Sequence, residues 1–175
     1  MKLWGWKAVG GVMPVKKGII LGVPHTSAWD FVISYLYYTA QGGVAHIVVK
    51  KEFFFWPAGF FLRKMGAIPI DRSKGASVVR QIIDVMNQSE EFHLAITPEG
   101  TRARTSRWKA GFHTIAKATG ATVFIGFFDW GRKEIGWAET FPLSDDPQAD
   151  IRRLKAWYRE RGITGKFNDN FSLDE

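Results

Sequence analysis

Short runs of apolar residues alternate along the chain with longer segments in which apolar residues recur at helical spacing. An apolar run of about four to eight residues, bounded by glycine, proline or charged residues, is typical of a buried strand. We predict strands at residues 18–23, 45–50, 67–70, 92–97, 122–128 and 135–141. The last two strands are expected to pair through a turn at Gly131.

The segments between these strands have the pattern of helices. Segment 75–88, for example, places Val78, Ile82 and Met86 on one face. Another segment begins with Ser27, a residue type that caps helices, and ends at two glycines. We predict helices at residues 27–43, 75–88, 111–120 and 146–162, and an apolar segment interrupted by proline at 52–66.

The alternation of strands and helices is typical of an α/β fold built in layers. We therefore expect a mostly parallel central sheet flanked by helices. Neither a repeat nor a linker divides the sequence, so we predict a single domain over residues 18–175. Residues 1–17 would form an amino-terminal arm before the first strand.

Three polar residues closely follow predicted strands, namely His25, Asp71 and Glu99. Binding sites in open α/β folds lie outside the carboxyl ends of the strands. Because the carboxyl ends of parallel strands meet at one edge of a sheet, we expect these three side chains to gather there.

The stretch LGVPHTSAWD places His25 directly after a strand and Asp30 five residues later. Residues five apart on a helix are about 140° apart around its axis, so they do not share a face. The two side chains can meet only if His25 precedes the helix and Asp30 lies in its first turn. A carboxylate on one imidazole nitrogen would leave the other nitrogen as a general base. The alternative is structural, because Ser27 and Asp30 also have the spacing of a capping box.

The net charge of +7 favours an anionic partner, such as nucleic acid, an anionic membrane surface or a phosphorylated substrate. Part of this charge follows Gly100, which permits a turn or a close approach to a ligand. Arginine suits bidentate phosphate contacts, but a solvated basic loop has the same composition. Arg72 likewise either binds phosphate or pairs with Asp71. The basic residues after Gly100 are Arg102, Arg104, Arg107 and Lys109.

An aromatic cluster flanked by lysine and arginine follows the second strand. Such a segment forms an interfacial membrane face, lines an apolar groove or packs as a core helix. The amino-terminal MKLWGWK also has two interpretations: it anchors the chain at a membrane interface, or it packs on the domain. The aromatic cluster comprises Phe53, Phe54, Phe55, Trp56, Phe60 and Phe61.

The sequence shows no transmembrane run and no signal peptide. We therefore expect a cytoplasmic chain, bound peripherally at the inner face of the membrane or soluble. The absence of cysteine excludes disulfides, thiolate metal sites and cysteine nucleophiles. His46, His93 and His113 have no partners at metal-ligand spacing, so we interpret them as structural and expect no metal site.

Three motifs together resemble the glycerolipid acyltransferase family, which includes the lysophosphatidic acid acyltransferases. HTSAWD fits the His-x4-Asp motif of that family, and PEGTR at 98–102 matches its third block. The segment from Lys50 to Arg72, which ends in IPIDR, is similar to the second block, and WKAGFHTIA resembles the usual continuation. The motifs agree in order and spacing over residues 19–127.

The resemblance implies a glycerol-phosphate acyltransferase-like fold. It also implies transfer of a fatty acyl group from acyl-CoA or acyl-carrier protein to a hydroxyl of lysophosphatidic acid or a related glycerol phosphate or lysolipid. In this interpretation His25 is the general base and Asp30 orients it. The reaction would need no cofactor besides the acyl donor, and it belongs to phospholipid synthesis.

The resemblance also assigns the binding residues. Glu99 would contact a glycerol hydroxyl or belong to a supporting network. Some of Arg104, Arg107 and Lys109 would contact the phosphates of CoA or the acidic surface of a carrier protein. The acceptor and its phosphate would be held by Asp71, Arg72, Glu99, Gly100, Thr101 and Arg102.

Two other functions remain open from the sequence. A non-catalytic lipid-binding protein of the same fold would bind a membrane surface without turning over a thioester. A nucleic-acid-binding protein is disfavoured, because the basic residues cluster beside glycine turns and strand ends and form no helical stripe.

Overall fold

A computed structural model describes residues 5–71 and 78–174. The strands are β1 (Lys7–Val9), β2 (Lys17–Val23), β3 (Ile47–Lys50), β4 (Ala67–Ile70), β5 (Phe92–Ile96), β6 (Thr122–Asp129) and β7 (Glu134–Thr140). The helices are α1 (Ala28–Thr39), α2 (Ala58–Lys64), α3 (Val78–Gln88), α4 (Gly111–Thr119) and α5 (Pro147–Glu160). Short 3-10 helices lie at Lys51–Phe53 and Asn168–Asn170.

The central sheet has the strand order β1-β7-β6-β2-β5. β2 runs parallel to both β5 and β6, and β1 runs parallel to β7. β7 is antiparallel to β6 and follows it through the predicted turn at Gly131. β3 and β4 form a separate parallel pair, which a bridge between His46 and Leu94 joins to β5. The expected mostly parallel sheet is therefore confirmed.

Helices cover both faces of this sheet. Because side chains alternate along a strand, Ile19 and Leu21 of β2 face one side and Ile20 faces the other. Ile19 and Leu21 pack in the core that contains α3, α4 and α5, whereas Ile20 packs on the cluster that contains α1. Burying an aliphatic side chain of this size stabilises a fold by about 1.5–3 kcal/mol. Burial on both faces explains why β2 is an uninterrupted apolar run.

The predicted amino-terminal arm packs on the domain from Gly5 onward. β1 is an edge strand beside β7, and buried Trp6 meets Trp130 edge to face at a ring distance of 4.9 Å. The sequence analysis missed β1 because a strand of 3 residues is too short to show a period. Residues 1–4, which include Trp4, lie outside the described part of the chain, and interfacial anchoring stays a prediction for them.

One predicted helix is shorter in the structure, and the proline-interrupted apolar segment contains a short helix. The helix expected over 27–43 ends at Thr39, and a turn leads to Gly43. The segment over 52–66 is broken before Pro57, so that a 3-10 turn precedes α2. Among the helices of the described ranges, none is both long and apolar enough to cross a membrane.

Three adjacent parallel strands place their following loops side by side. β5, β2 and β6 all end at one edge of the sheet. Glu99 follows β5, His25 follows β2, and Trp130 follows β6 directly. This edge therefore brings together residues that are far apart in sequence.

Candidate active site

His25 and Asp30 form a close pair at the carboxyl end of β2. His25 lies in the loop before α1, and Asp30 lies in the first turn of that helix, as their spacing requires. Nδ1 of His25 is 3.3 Å from Oδ2 of Asp30. Among the described residues no atom completes a hydrogen bond to Nδ1, so Asp30 is the acceptor available to it.

The fully buried Asp30 carboxylate is held by three N–H groups. The backbone N–H groups of Thr26 and Ser27 each donate to Oδ2 over 2.8 Å. The indole Nε1–H of Trp130 donates to Oδ1 over 2.8 Å. Burial of a charged carboxylate is costly unless it is hydrogen-bonded or paired, so these donors stabilise the carboxylate and fix its orientation.

The start of α1 makes the capping box and the His25–Asp30 pair compatible. The Trp29 N–H donates to Oγ of Ser27 over 3.2 Å, and the Ser27 N–H donates to the Asp30 carboxylate. Together these contacts form the capping box that the sequence indicated. The turn that begins the helix also carries the carboxylate to His25, so the two interpretations do not compete.

Glu99 holds the backbone of the His25 loop. The His25 N–H donates to both carboxyl oxygens, over 3.1 and 3.0 Å. Burial raises the pKa of Glu99 to about 8; the hydrogen bond from His25 lowers this pKa and the charge of Asp30 raises it. Glu99 does not line the cavity described next, and its contact with the His25 N–H favours the second of its two predicted roles, membership of a supporting network.

A cavity of about 1110 Å³ lies beside the His25–Asp30 pair. Since Nδ1 faces Asp30, Nε2 is at the opposite edge of an imidazole ring that lines this cavity. The wall is largely apolar and is supplied by strands of the sheets and by α1, α3 and α4, with helical side chains such as Phe31, Ile82 and Phe112. The residues around the polar end include His25, Asp30, Gly100, Thr101, Arg102 and Lys109.

Gly100 shapes the basic end of the cavity. Its φ of +64° lies in the left-handed region that favours glycine. A Cβ at this position would lie 3.1 Å from Nζ and 3.2 Å from Cε of Lys109. The absence of a side chain therefore lets Lys109 pack over the loop while it lines the cavity.

Asp71 does not reach the cavity. Its carboxylate contacts Nζ of Lys51 over 2.7 Å, and this contact raises the pKa of Lys51. Asp71 follows β4, which belongs to the outlying β3–β4 pair. This position corrects the expectation that Asp71 gathers with His25 and Glu99. Arg72, the neighbouring candidate, lies outside the described residues.

The basic loop divides into two parts. Arg102 and Lys109 line the cavity, as does Thr101. Arg104 instead pairs with Asp174 over 3.0 Å, and Arg107 is exposed and does not line the cavity. Of the predicted donor-binding residues, only Lys109 therefore lies at the site within the described part of the chain.

The aromatic cluster lies at the surface. Five of its side chains are between 55% and 88% exposed, and none of these five lines the cavity. Phe54 is partly buried, with the Arg63 guanidinium 5.3 Å from its ring centre. These positions correct the core-helix interpretation of the cluster, and its role as a membrane face or an acyl groove stays a prediction. We call the five exposed side chains, Phe53, Phe55, Trp56, Phe60 and Phe61, the aromatic surface.

The other histidines make structural contacts, as predicted. Nδ1 of His93 and the Tyr38 hydroxyl are 2.6 Å apart. His46 stacks on Phe92 at 4.1 Å, and burial lowers its pKa. His113 is buried away from the His25 loop and lies next to a backbone carbonyl. In the ranges that the structure describes, no three His, Asp or Glu side chains come together as metal ligands.

Trp130 is the site residue that the sequence analysis missed. It lies 100 positions from Asp30, and an indole N–H belongs to no catalytic motif. The signal that could have found it was its place directly after β6, at the sheet edge where His25 follows β2.

Comparison with other proteins places the chain in a family. Residues 9–125 match the Acyltransferase family. The chain is 29% identical over 138 residues to the 1-acyl-sn-glycerol-3-phosphate acyltransferase of Streptococcus pneumoniae (strain ATCC BAA-255 / R6). That alignment covers 72% of this chain and 51% of the relative, so the chain spans about half the length of this curated relative.

The fold also has a solved counterpart. It is similar to the crystal structure of the 1-acyl-sn-glycerophosphate (LPA) acyltransferase, PlsC, from Thermotoga maritima, with a TM-score of 0.65 and 15% sequence identity. The superposition covers 91% of this chain and 73% of that chain. Since the family match spans more than half of the sequence, the chain belongs to the Acyltransferase family.

Proposed function

We propose that the chain transfers a fatty acyl group from acyl-CoA or acyl-carrier protein to a hydroxyl of lysophosphatidic acid or a related glycerol phosphate or lysolipid, in phospholipid synthesis. The observation that carries this proposal is the His25–Asp30 pair beside a cavity with a basic end and an apolar wall. Membership of the Acyltransferase family supports acyl transfer. The names of the similar proteins support a glycerol phosphate acceptor.

His25 acts as general base in the proposed reaction. Nε2 accepts the proton of the acceptor hydroxyl while the hydroxyl oxygen attacks the thioester carbonyl carbon. The tetrahedral intermediate then breaks its C–S bond, and the departing thiolate takes the proton from His25. Asp30 orients the imidazole ring and stabilises its charged form. Each turnover forms one ester and one free thiol, and it needs no cofactor besides the donor.

The two ends of the cavity suit the two parts of the substrates. Arg102 and Lys109 carry the charge that an acceptor phosphate requires, and Thr101 adds a hydroxyl donor. The apolar wall suits acyl chains, because burying each CH₂ group contributes about 0.8 kcal/mol. The exposed Arg107 is available to the phosphates of CoA or to an acidic carrier protein.

An acyl-transfer assay tests this function directly. The purified chain is mixed with glycerol-3-phosphate, lysophosphatidic acid or other lysolipids, and with acyl-CoA or acyl-carrier protein as donor. Mass spectrometry should detect a new ester together with an equal amount of free thiol. Lipid binding without thiol release would instead identify a non-catalytic lipid-binding protein of the same fold.

Replacing Arg102 with alanine should raise the KM for the acceptor about 10- to 100-fold, because a charge-assisted contact with phosphate contributes about 1.5–3 kcal/mol. Steady-state kinetics with lysophosphatidic acid as the varied substrate measure this change. Arg104→Ala is the matched control, since Arg104 pairs with Asp174 and does not line the cavity. An unchanged acceptor KM in Arg102→Ala would remove Arg102 from the phosphate site.

We also propose that the aromatic surface binds the cytoplasmic face of an anionic membrane. A large exposed apolar patch on a globular domain marks a site of interaction. Exposed basic residues flank this surface, and Lys64 lies 4.9 Å from the ring centre of Phe60. Each lysine or arginine near an anionic lipid surface contributes about 1 kcal/mol. The flanking residues are Lys50, Lys51, Arg63 and Lys64.

Serine at Phe55, Trp56 and Phe60 together should weaken binding to phosphatidylglycerol-containing vesicles at least about tenfold, since these side chains are 62%, 88% and 55% exposed. Vesicle sedimentation measures the binding. Phe167→Ser is the control, because Phe167 is 54% exposed but lies outside the aromatic surface. Equal binding of the triple variant and the unmodified chain would show that another surface contacts the lipid.

A further inference from the structure

The indole of Trp130 makes the only side-chain hydrogen bond to Asp30 that the described residues contain. Its Nε1–H donates to Oδ1 over 2.8 Å, whereas both donors to Oδ2 are backbone groups of the loop itself. We infer that Trp130 is a positioning residue, which fixes the rotation of the Asp30 carboxylate and, through it, the His25 ring.

The geometry explains why one more hydrogen bond matters here. The Thr26 and Ser27 donors hold a single oxygen, Oδ2, which also faces His25. These two bonds resist rotation about the Cβ–Cγ bond, because rotation moves Oδ2 away from its donors, but they act at one side of the carboxylate and leave Oδ1 without a donor of its own. The bond from Trp130 restrains the second oxygen as well, so it narrows the remaining range of carboxylate orientations.

Trp130 is itself held in place from several directions. Its backbone N–H donates to the Thr164 carbonyl over 3.0 Å. The Trp6 ring packs edge to face on it, with ring planes at 87°, and Nζ of Lys166 lies 4.8 Å from the ring centre. The indole is therefore a preorganised donor, and the amino-terminal segment and the segment after α5 both contribute to its position.

The role of Trp130 rests on the proposed acyl transfer, in which the orientation of His25 determines how well Nε2 meets the acceptor hydroxyl. A misplacement of a catalytic group by about 1 Å costs up to about 100-fold in rate. Loss of the indole N–H should therefore reduce kcat and leave substrate binding unchanged, because Trp130 does not line the cavity.

The first test replaces Trp130 with phenylalanine. We expect kcat to fall about 10- to 100-fold, with KM for donor and acceptor within about twofold of the unmodified chain. In an Asp30→Ala background the same replacement should change kcat by less than about twofold, because no carboxylate remains to be positioned. Trp157→Phe is the matched control, since the Trp157 indole donates to the surface carboxylate of Glu139. It should leave kcat unchanged.

A second measurement does not depend on activity. The ¹⁵N chemical shifts of the His25 ring report which nitrogen carries the proton. We expect one predominant tautomer, with the proton on Nδ1, in the unmodified chain and a mixture in Trp130→Phe. If the unmodified chain transfers no acyl group with any donor, the proposed function fails, and these shifts alone decide the role of Trp130.

Other outcomes overturn the inference. The inference is wrong if Trp130→Phe changes neither kcat nor the His25 shifts. It is also wrong if Trp130→Phe lowers kcat by the same factor in the unmodified chain and in the Asp30→Ala background. If Trp130→Phe does not fold, 3-benzothienylalanine at position 130 keeps the shape of the indole but replaces the N–H by sulfur. Unchanged His25 shifts in that variant would overturn the inference, and a mixture of tautomers would support it.

Discussion

Alanine in place of His25 should lower kcat for acyl transfer by about 10²- to 10⁴-fold, because the reaction loses the group that removes the acceptor proton. KM for both substrates should change little, since the phosphate contacts are assigned to other side chains. Initial rates of thiol release, measured at saturating donor and acceptor, give the loss of kcat. Residual activity within about threefold of the unmodified chain would exclude His25 as the base.

The fold should survive this substitution. The side chain of His25 is 23% exposed, and the contact with Glu99 comes from the backbone N–H, which alanine keeps. We therefore expect a thermal midpoint close to that of the unmodified chain. His46→Phe is the control for removal of an imidazole, because it keeps the stack on Phe92 and should keep kcat.

Local sequence signals are sufficient to predict the strand and the helix that carry His25 and Asp30. The apolar run of β2, the cap at Ser27 and the spacing of His25 and Asp30 all lie within one short stretch. The spacing of the two residues requires His25 outside the helix and Asp30 in its first turn, and the structure has this arrangement. The sequence leaves open whether the pair is a cap or a catalytic pair. The structure contains the capping contacts and also brings His25 and Asp30 together, and the catalytic role belongs to the proposed function.

The parts that the sequence could not predict depend on contacts between distant segments. Asp71 follows a strand as His25 does, but the order of strands places β4 outside the central sheet. The aromatic segment has the composition of a core helix. Its exposure at the surface depends on which segments pack around it, and the sequence alone does not give that packing. Trp130 donates across 100 residues, a distance over which no local pattern operates.

The two predicted roles of Glu99 also separate in the structure. A motif match cannot distinguish a residue that contacts substrate from one that holds the loop beside it. Burial and the bond from the His25 N–H assign Glu99 to the loop. Arg102, three residues later and exposed, lines the cavity. One five-residue motif therefore supplies both a contact that holds the His25 loop and a candidate ligand for phosphate.

Asparagine in place of Asp30 should reduce kcat by about 10³-fold, because a neutral amide no longer stabilises the imidazolium and no longer selects the required tautomer. It should also reduce the free energy of unfolding by about 1.5–3 kcal/mol. The reason is that three N–H groups converge on the two carboxylate oxygens, whereas asparagine keeps one acceptor oxygen, so every N–H group that faces its NH₂ loses its acceptor. Thiol release measures the first effect, and urea denaturation measures the second.

Asp150→Asn is the control that separates the effect of Asp30→Asn on kcat from its effect on stability. Asp150 is also fully buried and lies 3.5 Å from Nε2 of His113, so it forms a second His–Asp pair that does not line the cavity. Its loss should lower stability by a similar amount while kcat of the folded protein is retained. If Asp30→Asn reduced stability but kept kcat, as expected of Asp150→Asn, then Asp30 would be only the cap of α1, and His25 would act without its carboxylate.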